Sequence, residues 1–306
     1  MYDLIIIGGG PAGISAGVYA SRKQLKTLFI TKEWGGQSIV SPEIHNWIGT
    51  VAISGADLAK SLENHLKAYA EECVTIMPGV TASAITKIEN GFRVAVSDGS
   101  VHEGTTVLIA TGSSRRKLTV PGADVYDQKG LTYCATCDGP MFSGMDVAVI
   151  GGGNAGFETA AQLLAYTKSV TLLNSMDSYK ADPITVEKVL AHPNMTGILN
   201  ADTTEIHGDG FVNGLTYKDA NGESHRLNVG GIFVEIGMLP NTDFAKGIVE
   251  LDAYNRVTID PWTQRTSVEG IWSAGDCTNV RYHQNNISAG DAVKALEDIY
   301  VYVKTR

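Results

Sequence analysis

The chain opens with two largely apolar runs separated by glycines and an alanine-rich stretch. Leu4–Ile7 and Thr27–Ile30 are the two runs, and the alanine-rich stretch between them ends near Arg22. Such runs are typical of buried parallel strands, and the stretch between them predicts a helix. The glycines have the G-x-G-x-x-G spacing of a turn in which a helix N-terminus faces a pyrophosphate. They are Gly8, Gly10 and Gly13.

The same pattern returns in the middle of the chain. A second G-x-G-x-x-G motif, formed by Gly151, Gly153 and Gly156, lies 143 residues after the first (151 − 8 = 143). The same offset matches Val170–Leu173 to Thr27–Ile30, with no insertion between motif and strand. One such motif is a weak signal, but two motifs with the same flanking strands favour two dinucleotide-binding domains over two tight turns.

Each predicted domain also has a later strand that ends in glycine. The first domain has Val107–Gly112, the second has Ile232–Gly237, and a third run of this kind is Gly270–Asp276. Apolar residues at helical spacing over Ala292–Val303 predict a C-terminal helix. Asn-Gly and Asp-Gly pairs predict hairpins, which we expect to form small antiparallel sheets that cover each core.

Together these elements predict an α/β protein of two Rossmann-like, ββα-type three-layer dinucleotide-binding domains. The third glycine-ended run and the C-terminal helix complete the first domain, so the second domain is inserted into it. We therefore expect a discontinuous first domain, residues 1–113 and 244–306, and a second domain over residues 114–243.

Composition narrows the class of protein. The chain has 306 residues, of which 33 are acidic and 24 are Lys or Arg, so its net charge is −9. This charge argues against a nucleic-acid partner and a basic membrane-surface protein, because phosphate contacts need clustered Lys and Arg. No apolar stretch approaches the length of a membrane span. Four cysteines are too few for a disulfide-stapled secreted fold, so we expect a cytoplasmic, reducing compartment.

A C-x-x-C pair, Cys134 and Cys137, carries the candidate chemistry. A zinc site would need a second such pair or a pair of histidines, and Cys73 and Cys277 stand alone, so we predict no metal. A redox pair can instead form a disulfide and exchange it with a partner thiol. The next residue, Asp138, has two compatible interpretations: a proton donor to a leaving thiolate, or a turn residue before Gly-Pro.

These motifs stand in the order found in the low-molecular-weight thioredoxin reductases, which the chain resembles over essentially its whole length. Ala110–Gly112, Cys134–Pro140 and Ala274–Asp276 carry the resemblance together with the two glycine motifs. Thr132–Cys134 and Phe233–Thr242 look most like the reductase portion of the alkyl hydroperoxide reductase flavoprotein. That protein has additional thioredoxin-like domains before this portion. We therefore expect a separate thioredoxin- or glutaredoxin-like protein to be the disulfide partner.

The resemblance implies a homodimer with FAD in the first domain and a nicotinamide nucleotide in the second, which carries the C-x-x-C pair. It also implies that Cys137 faces the flavin and that Cys134 attacks the partner disulfide. The implied FAD contacts are Gly8, Gly10, Pro11, Ala12, Gly13, Glu33, Gly36, Gln37, Asn46, Thr111, Gly112, Gly275, Asp276, His283 and Gln284. The implied nucleotide contacts are Gly151, Gly153, Asn154, Ala155, Gly156, Asn174 and Gly237.

The sequence departs from the family's pattern after the second strand of the inserted domain. NADPH-dependent members have His-Arg-Arg and a further Arg there, which hold the 2′-phosphate. Residues 174–182 contain two Asp, one Lys and no Arg, so a 2′-phosphate would lack charge-assisted donors. NAD enzymes place an acid at this strand end to bind the ribose, and Asn174 can bond the hydroxyl without a charge. We therefore predict NADH rather than NADPH.

A second departure lies before the C-terminal helix. His283 stands where the family has Arg or Lys, and Asn285 and Asn286 replace an apolar pair. His283 could titrate near neutral pH beside the flavin, or it could be a substituted surface contact. Both interpretations remain open at the level of sequence.

The sequence thus predicts an FAD-dependent disulfide reductase that passes electrons from NADH through FAD and the Cys134–Cys137 pair to a thioredoxin-like protein. One alternative keeps the flavin and dithiol chemistry but uses a donor other than NAD(P)H, or oxidises dithiols with O2. A second alternative is a flavin- or nucleotide-binding sensor with a redox-switched cysteine pair.

Overall fold

The computed structural model describes residues 1–41, 43–70 and 73–305 of the chain. It divides into two compact units: unit 1 comprises Met1–Ser114 and Leu239–Arg306, and unit 2 comprises Arg115–Met238. Unit 1 therefore resumes at Leu239, a few residues before the boundary at residue 244 that the sequence predicted. A side-chain hydrogen bond explains this difference, because the amide of Asn241 donates to the carbonyl of Thr111 at 3.0 Å within unit 1.

Strands and helices alternate in the first part of each unit, and runs of consecutive strands follow. The strands are β1 (Tyr2–Ile7), β2 (Thr27–Thr31), β3 (Val74–Pro78), β4 (Ala82–Ile88), β5 (Gly91–Val96), β6 (Val101–Ile109), β7 (Ser113–Arg115), β8 (Leu131–Thr132), β9 (Asp146–Ile150), β10 (Ser169–Asn174), β11 (Met195–Leu199), β12 (Asp202–Asp209), β13 (Phe211–Lys218), β14 (Ser224–Leu227), β15 (Gly231–Val234), β16 (Met238–Pro240) and β17 (Ile271–Ser273). The α-helices are α1 (Pro11–Arg22), α2 (Gly55–Ala70), α3 (Ala123–Tyr126), α4 (Ala135–Asp138), α5 (Asn154–Leu163), α6 (Pro183–Leu190) and α7 (Asn285–Lys304). Short 3₁₀ helices cover Gly36–Val40, Gly139–Phe142 and Asp243–Ala245.

Unit 1 is built on one mixed sheet in the order β3-β2-β1-β6-β5-β4, with β17 also paired to β6. The strands β1, β2, β3, β6 and β17 run parallel, as in a Rossmann-like core. The expectation of a separate antiparallel sheet was wrong here, because β6 is long enough to serve both parts. Its first half pairs with β5, and its second half pairs with β1 and β17.

Helices α1 and α7 lie on one face of this sheet and bury a shared core. Side chains of both helices pack with those of the central strands, including Phe29 and Trp272, which are fully or almost fully buried. Ala292, Leu296 and Ile299 of α7 are buried in the same cluster, which confirms the helical spacing predicted for this segment. The core therefore holds the N-terminal ends of both helices in place.

Unit 2 repeats the parallel core and then departs from it. Its sheet has the order β11-β10-β9-β15-β8, and every pairing is parallel. A separate three-stranded antiparallel sheet follows in the order β12-β13-β14, as the hairpin signals predicted for this domain. Across the described parts of both units, no helix is both long and apolar enough to cross a membrane.

Candidate active site

The first glycine motif forms a tight turn between β1 and α1. Gly8 has φ +125°, and an ideal Cβ on it would lie 2.1 Å from the carbonyl oxygen of Ala110. A Cβ on Gly13 would lie 1.8 Å from the carbonyl oxygen of Gly8. A Cβ on Gly10 would meet only the Cα of Gly36, at 3.9 Å, among the atoms described. Two glycines therefore allow the turn to pack, and the third leaves the backbone open at the helix N-terminus, where a pyrophosphate fits.

The second glycine motif has the same geometry between β9 and α5. Gly151 has φ +128°, and its Cβ would lie 2.2 Å from the carbonyl oxygen of Glu235. A Cβ on Gly156 would lie 1.9 Å from the carbonyl oxygen of Gly151. No described atom lies within 4 Å of an ideal Cβ on Gly153, which is the N-cap of α5 and leaves it without a side-chain cap. Unit 2 thus offers a second uncapped helix N-terminus that suits a pyrophosphate.

In unit 1, the described residues of one loop, 36–41 and 43–48, are joined to the start of α7 by side-chain hydrogen bonds. The amide of Asn286 donates to the carbonyl of Asn46 at 2.7 Å. Asn46 in turn donates to the side chain of Gln284 at 3.1 Å, and Ser38 donates to Asn285 at 2.8 Å. The two asparagines that depart from the family's pattern therefore hold this loop against the helix.

Three other predicted FAD contacts lie near this loop or at strand ends of unit 1. Gln37 donates to the carbonyl of Ser113, and Thr111 donates to the carbonyl of Asn241 at 2.7 Å. Glu33 follows β2 and is exposed, while its carbonyl accepts a hydrogen bond from Thr31 at 2.6 Å. The carboxylate of Glu33 thus stands at the strand end where a ribose hydroxyl would be bound.

Asp276 and His283 form a polar pair at the carboxyl end of the unit 1 sheet. Asp276 accepts a hydrogen bond from Ser288 of α7 at 3.0 Å. Nδ1 of His283 lies 3.5 Å from Oδ1 of Asp276, and this buried nitrogen makes no hydrogen bond among the described residues. A buried nitrogen without a partner fits a site completed by a polar group of a ligand, since buried polar atoms are normally hydrogen-bonded.

In unit 2, Asn174 at the end of β10 has an inward role that the sequence did not reveal. Its side chain is 6% exposed, and Nδ2 donates to the carbonyls of Met176 at 3.2 Å and Ser178 at 2.9 Å. Thr31 holds the loop after β2 in a similar way, and the 143-residue offset matches Asn174 to Thr31 and Met176 to Glu33. The position that bears an acid in unit 1 therefore bears a half-exposed methionine in unit 2. Direct contact of Asn174 with a ribose stays a prediction.

The other polar residues of this loop also serve to shape it. The side chain of Asp182 accepts a hydrogen bond from the N–H of Thr185 at 2.9 Å and caps α6. The backbone N–H of Asp182 donates to the side-chain oxygen of Asn154 at 2.8 Å. Asn154, a predicted nucleotide contact in the first turn of α5, is thus tied to the loop that follows β10.

The cysteine pair forms a disulfide at the start of α4 in unit 2. Cys134 and Cys137 have Cα atoms 5.3 Å apart, and both residues are partly buried. Cys134 is the N-cap of α4, and its Sγ accepts a hydrogen bond from the N–H of Cys137 at 3.2 Å. A thiolate on Cys134 would keep this donor, which stabilises the anion.

Asp138, the candidate proton donor, is hydrogen-bonded to Thr132 of β8, the strand before the cysteine pair. The hydroxyl of Thr132 donates to Oδ2 of Asp138 and accepts the N–H of Cys134 at 3.3 Å. Burial raises the pKa of the Asp138 carboxyl above its ordinary value, while the Thr132 hydrogen bond and the charge of Arg115 oppose the rise. A carboxyl with a raised pKa can hold a proton closer to neutral pH, as a general acid must.

Arg115 has a second acidic neighbour, Glu235, at the end of β15. Its Nη1 lies 3.9 Å from Oε2 of Glu235, and Thr159 donates to Oε1 of the same carboxylate at 2.9 Å. Burial raises the pKa of Glu235, although Arg115 and Thr159 stabilise its charged form. The sequence reasoning missed the roles of Thr132, Arg115 and Glu235. Only Thr132 had a local signal, its place two residues before Cys134.

Two parallel α/β cores with matching pyrophosphate turns, one of them carrying a cysteine disulfide beside a partly buried acid, are typical of nucleotide-dependent disulfide oxidoreductases. A family model described as pyridine nucleotide-disulphide oxidoreductase matches residues 2–292. The chain belongs to this family.

Two relatives match almost the whole of this chain. NADH dehydrogenase of Bacillus subtilis (strain 168) is 39% identical over 303 residues, which cover 99% of this chain and 58% of that protein. One subunit of the alkyl hydroperoxide reductase of Escherichia coli (strain K12) is 39% identical over 307 residues, with the same two coverages. The chain therefore spans little more than half the length of these relatives.

Solved structures of thioredoxin reductases resemble the whole chain. The enzyme from Giardia duodenalis has a TM-score of 0.93 and 31% identity, and the match covers 99% of both chains. The enzyme from Streptococcus pyogenes MGAS5005 has a TM-score of 0.91 and 31% identity, and the match covers 100% of this chain and 99% of that one. The predicted resemblance and the predicted pair of Rossmann-like domains are confirmed.

Proposed function

We propose that this chain is a disulfide reductase that passes electrons from NADH through FAD and the Cys134–Cys137 pair to a thioredoxin-like protein. The observation that carries the proposal is the redox motif of unit 2. A disulfide at the start of α4 and an acid with a raised pKa lie just before β9, the strand that leads into the second pyrophosphate turn. A disulfide pair with its own proton source suits two-electron transfer to another disulfide.

FAD is assigned to unit 1. The turn of Gly8, Gly10 and Gly13 would hold the pyrophosphate, and Glu33 would bond the ribose. The loop held by Asn286 would border the ring system, as would Nδ1 of His283, which makes no hydrogen bond within the described parts of the chain. When bound, FAD supplies the capacity to accept a hydride from a nicotinamide nucleotide and return two electrons to a disulfide.

The nicotinamide nucleotide is assigned to unit 2, with NADH as the donor. The turn of Gly151, Gly153 and Gly156 would hold its pyrophosphate. The loop after β10 contains no arginine, and both N–H groups of Asn174 are engaged within it. A 2′-phosphate would therefore meet no bidentate cation there, whereas a ribose hydroxyl needs none.

The disulfide partner would be reduced by thiol exchange at unit 2. As Cys134 becomes a thiolate, its proton goes to Asp138. The thiolate attacks one sulfur of the partner disulfide, a new sulfur–sulfur bond forms, and the released partner thiolate takes that proton from Asp138. Cys137 then attacks Cys134 as a thiolate, and the proton that Cys137 gives up goes to the second partner thiolate as it leaves, which restores the Cys134–Cys137 disulfide. One disulfide and one dithiol are consumed and one of each is formed. The resemblance to thioredoxin reductases supports a thioredoxin-like partner.

Anaerobic mixing with each nucleotide tests the donor. Excess NADH should bleach the yellow colour of the protein within seconds, and NADPH at the same concentration should act at least about tenfold more slowly. If neither nucleotide bleaches it while a dithiol does, NADH is not the donor and the non-NAD(P)H or dithiol-oxidase alternative is favoured. Turnover with oxidised thioredoxin that Cys134→Ser abolishes would exclude a sensor without catalysis.

A further inference from the structure

We propose that Thr132 is a positioning residue for Asp138, fixing this acid beside the nucleophilic cysteine during thiol–disulfide exchange. The inference rests on the proposed function, and it concerns a residue two positions before the C-x-x-C pair. Thr132 ends β8, and its side chain is 4% exposed. It contacts both the backbone of Cys134 and the carboxyl of Asp138.

The two hydrogen bonds fix the direction of the Thr132 hydroxyl proton. A hydroxyl has one proton to donate and lone pairs to accept with. The N–H of Cys134 occupies the acceptor side at 3.3 Å, so the single proton is directed at Oδ2 of Asp138. The other carboxyl oxygen, Oδ1, is left to carry the proton that a leaving thiolate needs. Thr132 therefore links the acid to the backbone of the residue that attacks.

The hydrogen bond from Thr132 is one of several opposing influences on the protonation of Asp138. Burial favours the protonated carboxyl, whereas the Thr132 bond and Arg115 favour the carboxylate. Arg115 also lies close to Glu235, which follows β15, and Glu158 of α5 acts on Glu235 as well. Tyr166 lies in the segment that follows α5. Its hydroxyl fills the position that a Cβ on Gly139, the residue after Asp138, would occupy.

The proton balance of the exchange step gives Thr132 a measurable role. When an alkyl disulfide is attacked, the departing alkyl thiolate is basic and gains from a proton donated by Asp138. When a nitrophenyl disulfide is attacked, the departing aromatic thiolate leaves without a proton. Loss of a residue that positions the acid should therefore slow the first reaction and spare the second.

The test uses the whole 306-residue chain, reduced with excess dithiothreitol and separated from it under nitrogen. The first turnover is then followed with hydroxyethyl disulfide and, separately, with a nitrophenyl disulfide. Thr132→Val keeps the shape of the side chain and removes the hydroxyl, and Thr132→Ser keeps the hydroxyl. Thr203→Val is the matched control, because Thr203 is a buried threonine of unit 2 whose hydroxyl makes no hydrogen bond among the described residues.

Thr132→Val should slow the reaction with hydroxyethyl disulfide by about tenfold at neutral pH and change the nitrophenyl reaction by less than about twofold. Removing a hydrogen bond to the carboxylate raises the pKa of Asp138, so the fall in the alkyl rate with rising pH should move to higher pH. Thr132→Ser should restore both the rate with hydroxyethyl disulfide and the pH dependence of that rate. Thr203→Val should match the unchanged protein in both. In a protein carrying Asp138→Asn, Thr132→Val should have no further effect.

Equal slowing with both disulfides, or a pH profile that does not move, would overturn the proposal and assign Thr132 a structural role. Additive losses in the double variant would overturn it too, because Thr132 would then act independently of Asp138. If the Thr132→Val protein does not fold, Thr132→Ser becomes the test. It must react with hydroxyethyl disulfide at a rate within about threefold of that of the unchanged protein. Absence of any Cys134-dependent exchange would instead contradict the proposed function.

Discussion

The two glycine turns of the molecule place the same demands on the backbone, although they belong to different units. The first glycines, Gly8 and Gly151, have φ angles of +125° and +128°. A Cβ on either would collide with a strand-end carbonyl, that of Ala110 at 2.1 Å or that of Glu235 at 2.2 Å. A Cβ on the second glycine of each motif, Gly10 or Gly153, would come no closer than 3.9 Å to the described atoms around it. Both copies thus retain the features by which a backbone approaches a phosphate.

The side chains behind the two turns have diverged. Thr31 and Asn174 hold the loops after the second strands, but the exposed acid at Glu33 is replaced by Met176. The comparison indicates that a phosphate would be recognised by backbone, which fixes the glycine spacing, whereas a ribose would be recognised by side chains, which can change. We therefore expect nucleotide selectivity to reside in the loop after β10 and not in the glycine motif.

The largest expected effect comes from a side chain added at Gly151. Gly151→Ala places a Cβ against the Glu235 carbonyl at a positive φ, so we expect unit 2 to lose about 3 kcal/mol of stability. Gly8→Ala should do the same to unit 1. All four tryptophans, Trp34, Trp47, Trp262 and Trp272, lie in unit 1. Tryptophan fluorescence should therefore follow the unfolding of unit 1, and circular dichroism the unfolding of both units.

Gly153→Ala is the matched control for this prediction, because no described atom lies near its Cβ. Its unfolding midpoint should stay close to that of the unchanged protein, while its affinity for NADH falls. If Gly153→Ala is as unstable as Gly151→Ala, the assignment of one glycine to packing and the other to phosphate approach is wrong.

An intermediate effect is expected from a charge at Met176. Met176→Arg supplies a guanidinium at the position that matches Glu33, where it can bond a 2′-phosphate. We expect the ratio of the NADPH and NADH dissociation constants to move by about tenfold towards NADPH, which corresponds to about 1.4 kcal/mol. Titration calorimetry measures both constants, and Met176→Gln serves as the uncharged control. An unchanged ratio would mean that the loop after β10 does not select the nucleotide.

How far the sequence predicts this molecule depends on whether a feature is local. The glycine motifs and the Cys134–Cys137 pair act through short spacings, so they could be recognised from the chain alone. The influence of Arg115 on Asp138 could not, because Arg115 lies more than twenty residues before Asp138 and acts on it only through the fold. The inward amide of Asn174 was likewise hidden, since a residue's identity does not reveal which way its side chain turns. The extended sheet of unit 1 depended on the length of β6, which hairpin signals do not encode.

The smallest effect we predict concerns the strand-end residues, where Ala110 in unit 1 is matched by Glu235 in unit 2. Burial raises the pKa of Glu235 above its ordinary value of 4.5, so its ionisation opposes folding. Below that ordinary value the carboxyl is protonated in both the folded and the unfolded chain. As the pH rises through the raised pKa, the protein loses the stability that this protonated acid contributed.

Glu235→Gln removes this charge and makes the unit 2 strand end neutral, as Ala110 is in unit 1. The variant should match the unchanged protein near pH 4 and exceed it at pH 8 by less than about 1 kcal/mol, since the amide can keep the hydrogen bond from Thr159. Denaturant unfolding followed by circular dichroism at the two pH values measures the difference. A variant less stable at pH 8 would show that the pairing of Glu235 with Arg115 outweighs the cost of burying the carboxylate.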